Sequence, residues 1–183
     1  MTMSPRVKKL TLTMHVVTTV GWLGAVVVFL ALAAIGLTSK DAGTVRGVYL
    51  VMEPAARFVL LPLAFASLLT GLVQSLGTTW GLFRHYWVIF KLAITLFSAI
   101  ILSIYMGTFS HMADVAADPA ADLDMVRNSS PQLHAAVALL LLLVATTLAI
   151  YKPRGMTRHG QRKQREQRAR RAEPTDNSSA YDA

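Results

Sequence analysis

The side chains of this sequence that can do chemistry are few, and they fall into two groups. The first is His15, Gln74, His85 and Lys91, with Trp22 beside them. An imidazole can bind a metal or pass a proton, and a lysine ammonium can hold an anion. The second group is His111, Asp114 and His134. Two imidazoles and a carboxylate suit a divalent metal, but no tight ligand spacing joins them, and no metal site is assigned. Glu53 and Arg57 stand four apart, the spacing at which opposite charges on a helix neutralise each other. Cysteine is absent, which removes disulfides, thiolate nucleophiles and Cys-ligated metal or iron–sulfur centres. No reaction class follows from these residues, so enzymatic activity is left open.

The elements that must position them follow from composition. Of 183 residues, 54% are hydrophobic and 15% charged, yet the net charge is +8. An average soluble chain has about 25% charged residues. Grease and charge must therefore be segregated. Nine of the 18 Lys and Arg lie between Lys152 and Arg171, after the apolar blocks. This excludes a simple soluble globule and argues against nucleic acid as a partner.

A membrane-spanning helix needs about 20 mostly apolar residues. Four segments qualify, over about 10–37, 55–76, 86–110 and 131–151. The first is too long for the apolar core of a signal peptide, which has about 7–15 residues. The expected fold is all-α: a polytopic four-helix transmembrane bundle over residues 1–152. Thirteen basic residues fall at the two termini and the turn between spans two and three, against three on the other side. The positive-inside rule then puts both termini in the cytoplasm.

Residues 42–57 read as a short amphipathic surface helix, with Val45, Val48, Tyr49 and Met52 on one face. Pro54 then kinks the chain into span two. A single long kinked helix is the alternative. Residues 153–183 lack large apolar side chains and read as a disordered tail, basic and then polar, with local helix around 161–171. Its basic half suits anionic lipid headgroups. The lipid bilayer is the expected surrounding, with a homo-oligomer or a membrane partner as further candidates.

Helical periodicity gives each span one inward stripe. These are His15, Thr18, Thr19, Trp22, Val26 and Phe29; Arg57, Ala64, Ser67, Gly71 and Gln74; Lys91, Thr95, Ser98, Leu102 and Tyr105; and His134, Ala138, Leu141, Ala145 and Leu148. Gly21 and Gly24 are expected to admit a neighbouring helix closely. His15 and Lys91 each lie about five residues into their spans, roughly 8 Å deep. Two ionisable groups on different helices therefore share one level near the cytoplasmic face. Gln74 is close to that level and His85 is at the interface.

The stretches from His15 to Gly24, Gly71 to Gly77 and Trp80 to Leu92 resemble a family of uncharacterised bacterial integral membrane proteins. More distantly, the chain resembles the membrane protoporphyrinogen oxidase and the copper-resistance D-type membrane proteins. That likeness rests on a His seven residues before a Trp in span one, Lys91-Leu92 early in span three, and Lys152-Pro153 closing span four. The oxidase is associated with haem b, and its span-one His and span-three Lys are functional. The resemblance therefore implies roles for His15 and Lys91, and haem b as a candidate cofactor. The oxidase also has a His late in its third span, whereas Leu102 to Tyr105 contain none. The leading expectation is haem b or another anionic ligand near the cytoplasmic face. A non-catalytic membrane partner or assembly factor, and an oligomeric small-solute or ion permease, are the alternatives.

Overall fold

The computed structural model describes residues 3–77, 81–153 and 155–172. Every regular element among them is helical. Helix α1 runs over Pro5–Thr38, started by Ser4, whose hydroxyl accepts from the Val7 amide, and by Pro5 in the first turn. Span two is built from α2 (Ala42–Ala55), a π-helical turn (Ala56–Leu60) and α3 (Leu61–Gly77). Helix α4 covers Tyr86–Ala117 and α5 covers Ser130–Tyr151. The four stretches Pro5–Thr38, Ala42–Gly77, Tyr86–Ala117 and Leu123–Tyr151 are long and apolar enough to cross a membrane. Their outward surface is apolar as well: Phe58, Ile104 and Ile150 are each about 70% exposed. A coat of this kind suits lipid rather than water.

The helices form a ring. Span two packs against α1 and α4, and α5 packs against the same two helices from the other side. Helices α1 and α4 are therefore diagonal, with no close backbone approach between them among the described residues. One end of the bundle holds the start of α1, the α3–α4 turn and the end of α5. We call it the terminal end, and the opposite one the loop end.

Glu53 and Pro54 open the break in span two. Pro54 has no N–H to give to the preceding turn, and Pro62 repeats the defect eight residues on. Between them the helix widens, and the Leu61 amide donates to the Ala56 carbonyl, five residues back. The helix nevertheless continues, so residues 42–77 are one long element with a wide turn in it. Its first part is not a separate surface helix. The expected apolar face is present, but Val45, Val48, Tyr49 and Met52 are buried against α1 and α4 and fill the loop end.

The extra residue of the wide turn also corrects the span-two stripe. Helical phase advances 100° per residue, so one inserted residue rotates what precedes it. Ala64 and Ser67 face inward as expected, but Arg57 is exposed, and Ala56 and Leu60 are buried in its place. Arg57 pairs with Glu53, Nε to Oε1 at 2.7 Å. In span one the expected stripe is buried, with Thr19 half-buried. Gly21 faces Leu63, but Gly24 has open space before it, so it admits no helix.

Arg46 closes the loop end. Its guanidinium donates to the carbonyls of Ala116, Asp118, Pro119 and Ala121, capping α4 and holding the following loop. At the terminal end, Arg158–Ala172 form α6, where the sequence suggests a mostly disordered tail. Gln, Ala and Arg are good helix formers, and Arg162 pairs with Glu166 one turn on. Residues 173–183 lie outside the described residues, as does Trp80.

Candidate functional site

Helices α1 and α4 are uninterrupted through their first turns, so a constant rise sets the level of each side chain. That rise carries His15 and Lys91 to the same height, and both point into the ring. His15 Nε2 and Lys91 Nζ lie 3.0 Å apart. Their contact spans the diagonal that the backbones leave open.

The other ring nitrogen of His15, Nδ1, lies 3.1 Å from Thr70 Oγ1 on α3. The Thr70 hydroxyl itself donates to the Ala66 carbonyl at 2.6 Å. Its oxygen is therefore free to accept, which puts the imidazole proton on Nδ1. In the neutral ring Nε2 is then an acceptor, and Lys91 donates to it. The donors run Lys91, His15, Thr70, and the chain ends on the accepting Ala66 carbonyl, with each proton directed one way.

His15 is seated by a glycine. A Cβ on Gly71 would stand 3.0 Å from His15 Cε1, so the ring packs where any larger residue would crowd it. Thr19 and Ser67 add a further hydroxyl contact between α1 and α3, at 2.9 Å. His15 and Ser67 are buried, and Lys91 is half-buried. Among the described residues no carboxylate lies within ion-pair distance of Lys91.

These groups line a cavity of about 570 Å³ inside the ring at the terminal end. Trp22, Gln74, Thr95 and Lys152 contribute to its wall. Most of the remaining wall is apolar, from Leu12, Val16, Leu68 and Leu142. The cavity is left because α2 fills only the loop end. None of the α2 side chains lines it.

Four of the expected residues, His15, Trp22, Gln74 and Lys91, thus share one cavity. His85 does not belong to it. It precedes α4, its backbone bridges Met156, and its ring lies 6.4 Å from that of Trp87. The interfacial position that suggested it also ties it to the chain after α5.

The second group is not assembled. His134 Nδ1 lies 2.8 Å from the carbonyl of Ser130, and its ring stacks on Tyr105 at 4.3 Å. His111 and Asp114 are exposed on α4. Among the described residues no three His, Cys, Asp or Glu side chains are placed to hold a metal. The sequence reading missed Thr70 and Arg46. A threonine next to Gly71 and three residues after the inward Ser67, in a largely apolar helix, is the signal that marks Thr70.

The chain matches no protein-family model, no curated protein and no solved structure.

Proposed function

We propose that this chain is a multi-pass protein of a bacterial-type cell membrane, with both termini cytoplasmic, that binds a small anionic amphiphile in the terminal-end cavity. One observation carries the reading: a lysine ammonium inside an apolar-walled cavity, held by an imidazole, with no carboxylate against it. A charge in hydrocarbon is costly and readily taken up by an opposite one. Lys91 is the charge partner of the ligand's acidic head. His15 and Thr70 fix the direction of the ammonium. Gln74 offers an amide at the same wall, and Trp22 an apolar surface further in. The distribution of basic residues supports the orientation, since the cavity lies at the basic end.

Haem b fits these residues poorly. Both ring nitrogens of His15 are engaged. Two nitrogens that ligate one metal from opposite sides stand about 4 Å apart, at about 2 Å per bond. The 3.0 Å between His15 and Lys91 leaves no such gap. A through-pathway for solutes fits poorly too, because Val45, Tyr49 and Met52 pack the loop end.

The test is equilibrium binding of laurate and of 1-dodecanol to the detergent-purified chain. The wild type is expected to prefer the carboxylate, and Lys91→Met to lose that preference.

A further inference from the structure

We infer that the Lys91 cavity opens sideways into the bilayer between α1 and α5. Its ligand is then a long-chain acyl anion drawn from the membrane, with its head at Lys91 and its tail in that opening. The inference rests on the reading of Lys91 as the partner of an acidic head, and it adds the route and the tail.

The wall of the cavity is uneven. The side chains that α3 and α4 give to it are all buried or half-buried. Its exposed members are Leu12, Val16 and Val20 on α1, with Ile150 and Lys152 at the end of α5. Val20 and Ile150 are 61% and 69% exposed, so each lines the cavity and faces the outside at once.

Helical phase puts these residues on one seam. Gly21 marks the side of α1 that meets α3, through Leu63. At about 100° per residue, Leu12 and Val16 stand about 180° and 140° round the helix from it. His134 marks the side of α5 that meets α4, through the Tyr105 ring. Ile150 stands about 160° round from His134. The exposed wall of α1 thus faces α5, and that of α5 faces α1.

The polar contacts agree with this division. His15 reaches Thr70 and Thr19 reaches Ser67, tying α1 to α3, and the Tyr105 and Ser130 hydroxyls tie α4 to α5. Among the described residues no side-chain hydrogen bond joins α1 to α5. Further toward the loop end Leu139 packs on the buried core, and the seam closes.

From Leu12 to Val20 the seam runs about 12 Å along α1. His15, in contact with Lys91, falls within that stretch. An anion held by Lys91 therefore has a direct lateral exit for its tail. Both sides of the seam are helices with satisfied backbones, so an acyl chain can lie there without facing bare peptide groups. A soluble anion of the same charge leaves the apolar seam unused.

Palmitate carrying a diazirine at mid-chain tests it, with the full chain in phosphatidylcholine vesicles. After irradiation, label is expected on residues 12–20 and 146–150 and not on the α3 and α4 walls. Val16→Trp with Ile150→Trp fills the seam at exposed positions and keeps every charge. That pair should lose the label and weaken palmitate binding by about tenfold. If the pair fails to fold, the wild-type label pattern decides. Label confined to α3 and α4, in a protein that still prefers laurate to 1-dodecanol, overturns the seam and leaves the role of Lys91 standing. Equal binding of laurate and 1-dodecanol is the separate result that fails Lys91. Seam label that persists in Lys91→Met marks bulk lipid in the groove and overturns the inference. Val20→Cys, in a chain with no other cysteine, reports a second copy over the seam. Disulfide-linked dimers of that variant in vesicles overturn the inference as well.

Discussion

Lys91 Nζ touches His15 Nε2 across the diagonal of a four-helix ring whose backbones do not meet there. The contact joins two helices whose backbones make no close approach, at the level where the ring is hollow; toward the loop end the Phe29 and Phe109 rings also meet across the diagonal, 5.6 Å between centroids. Lys91 is also the basic residue that topology does not explain: the others lie at helix ends, turns and tail, or pair locally as Arg57 does with Glu53.

The direction of this contact is itself a prediction. The Thr70 hydroxyl is committed to the Ala66 carbonyl, so the His15 proton sits on Nδ1. Nitrogen-15 spectra of histidine-labelled protein should show a protonated Nδ1 and an unprotonated Nε2 for this ring. A spectrum with the proton on Nε2 contradicts the donor chain.

Replacing His15 by alanine removes the acceptor of Lys91 and the donor to Thr70 together. The expected loss is about 1–3 kcal/mol of stability, the usual penalty for stranding buried polar groups. A denaturation midpoint in detergent that does not move for His15→Ala rules out a structural share for the ring. The milder Gly71→Ala should disturb the His15 spectrum before it lowers stability, because its new methyl meets only the imidazole edge.

These levels were legible in the sequence because α1 and α4 are regular where it matters. A rise of 1.5 Å per residue fixes depth without any knowledge of packing. The same arithmetic failed at Arg57, where a π-helical turn between two prolines added a residue and rotated the face. Periodicity also found the apolar face of α2, but not what covers it: an amphipathic pattern is the same against lipid or against two helices. Neither the reach of Arg46 nor the tie between the α3–α4 turn and the chain after α5 was legible. Both depend on backbone carbonyls brought close by the fold, and a sequence carries no sign of those.

Arg46 should hold the loop after α4. With Arg46→Gln, the carbonyls of residues 116–121 lose a shared charged donor. Amide hydrogen exchange over that segment is expected to accelerate, with stability lowered by about 1–3 kcal/mol. Unchanged exchange there removes Arg46 from this role.

Asp41 caps α2, and hydrogen bonds from the Thr44 hydroxyl and then the Thr44 amide hold its carboxyl below the usual value of 3.8. A depressed folded-state pKa adds stability that is present above 3.8 and lost as pH falls through the lower, folded value. Asp41→Asn should flatten the melting temperature below about pH 4 relative to wild type. Parallel curves for the two proteins in that range argue against the cap.

Absorption spectra bear on the nature of the ligand. Protein purified from haem-replete cells should show no Soret band, since neither nitrogen of His15 is open to an axial bond. A Soret band that disappears with His15→Ala refutes that expectation.

The most direct test of the central claim compares laurate with 1-dodecanol, molecules alike in chain and different in charge. In wild-type protein the carboxylate should bind at least about tenfold more tightly, the share expected of one charged hydrogen bond. Lys91→Met should bind the two alike, and Lys91→Arg should keep most of the preference. Equal binding in wild type, or a preference untouched by Lys91→Met, contradicts the role assigned to Lys91.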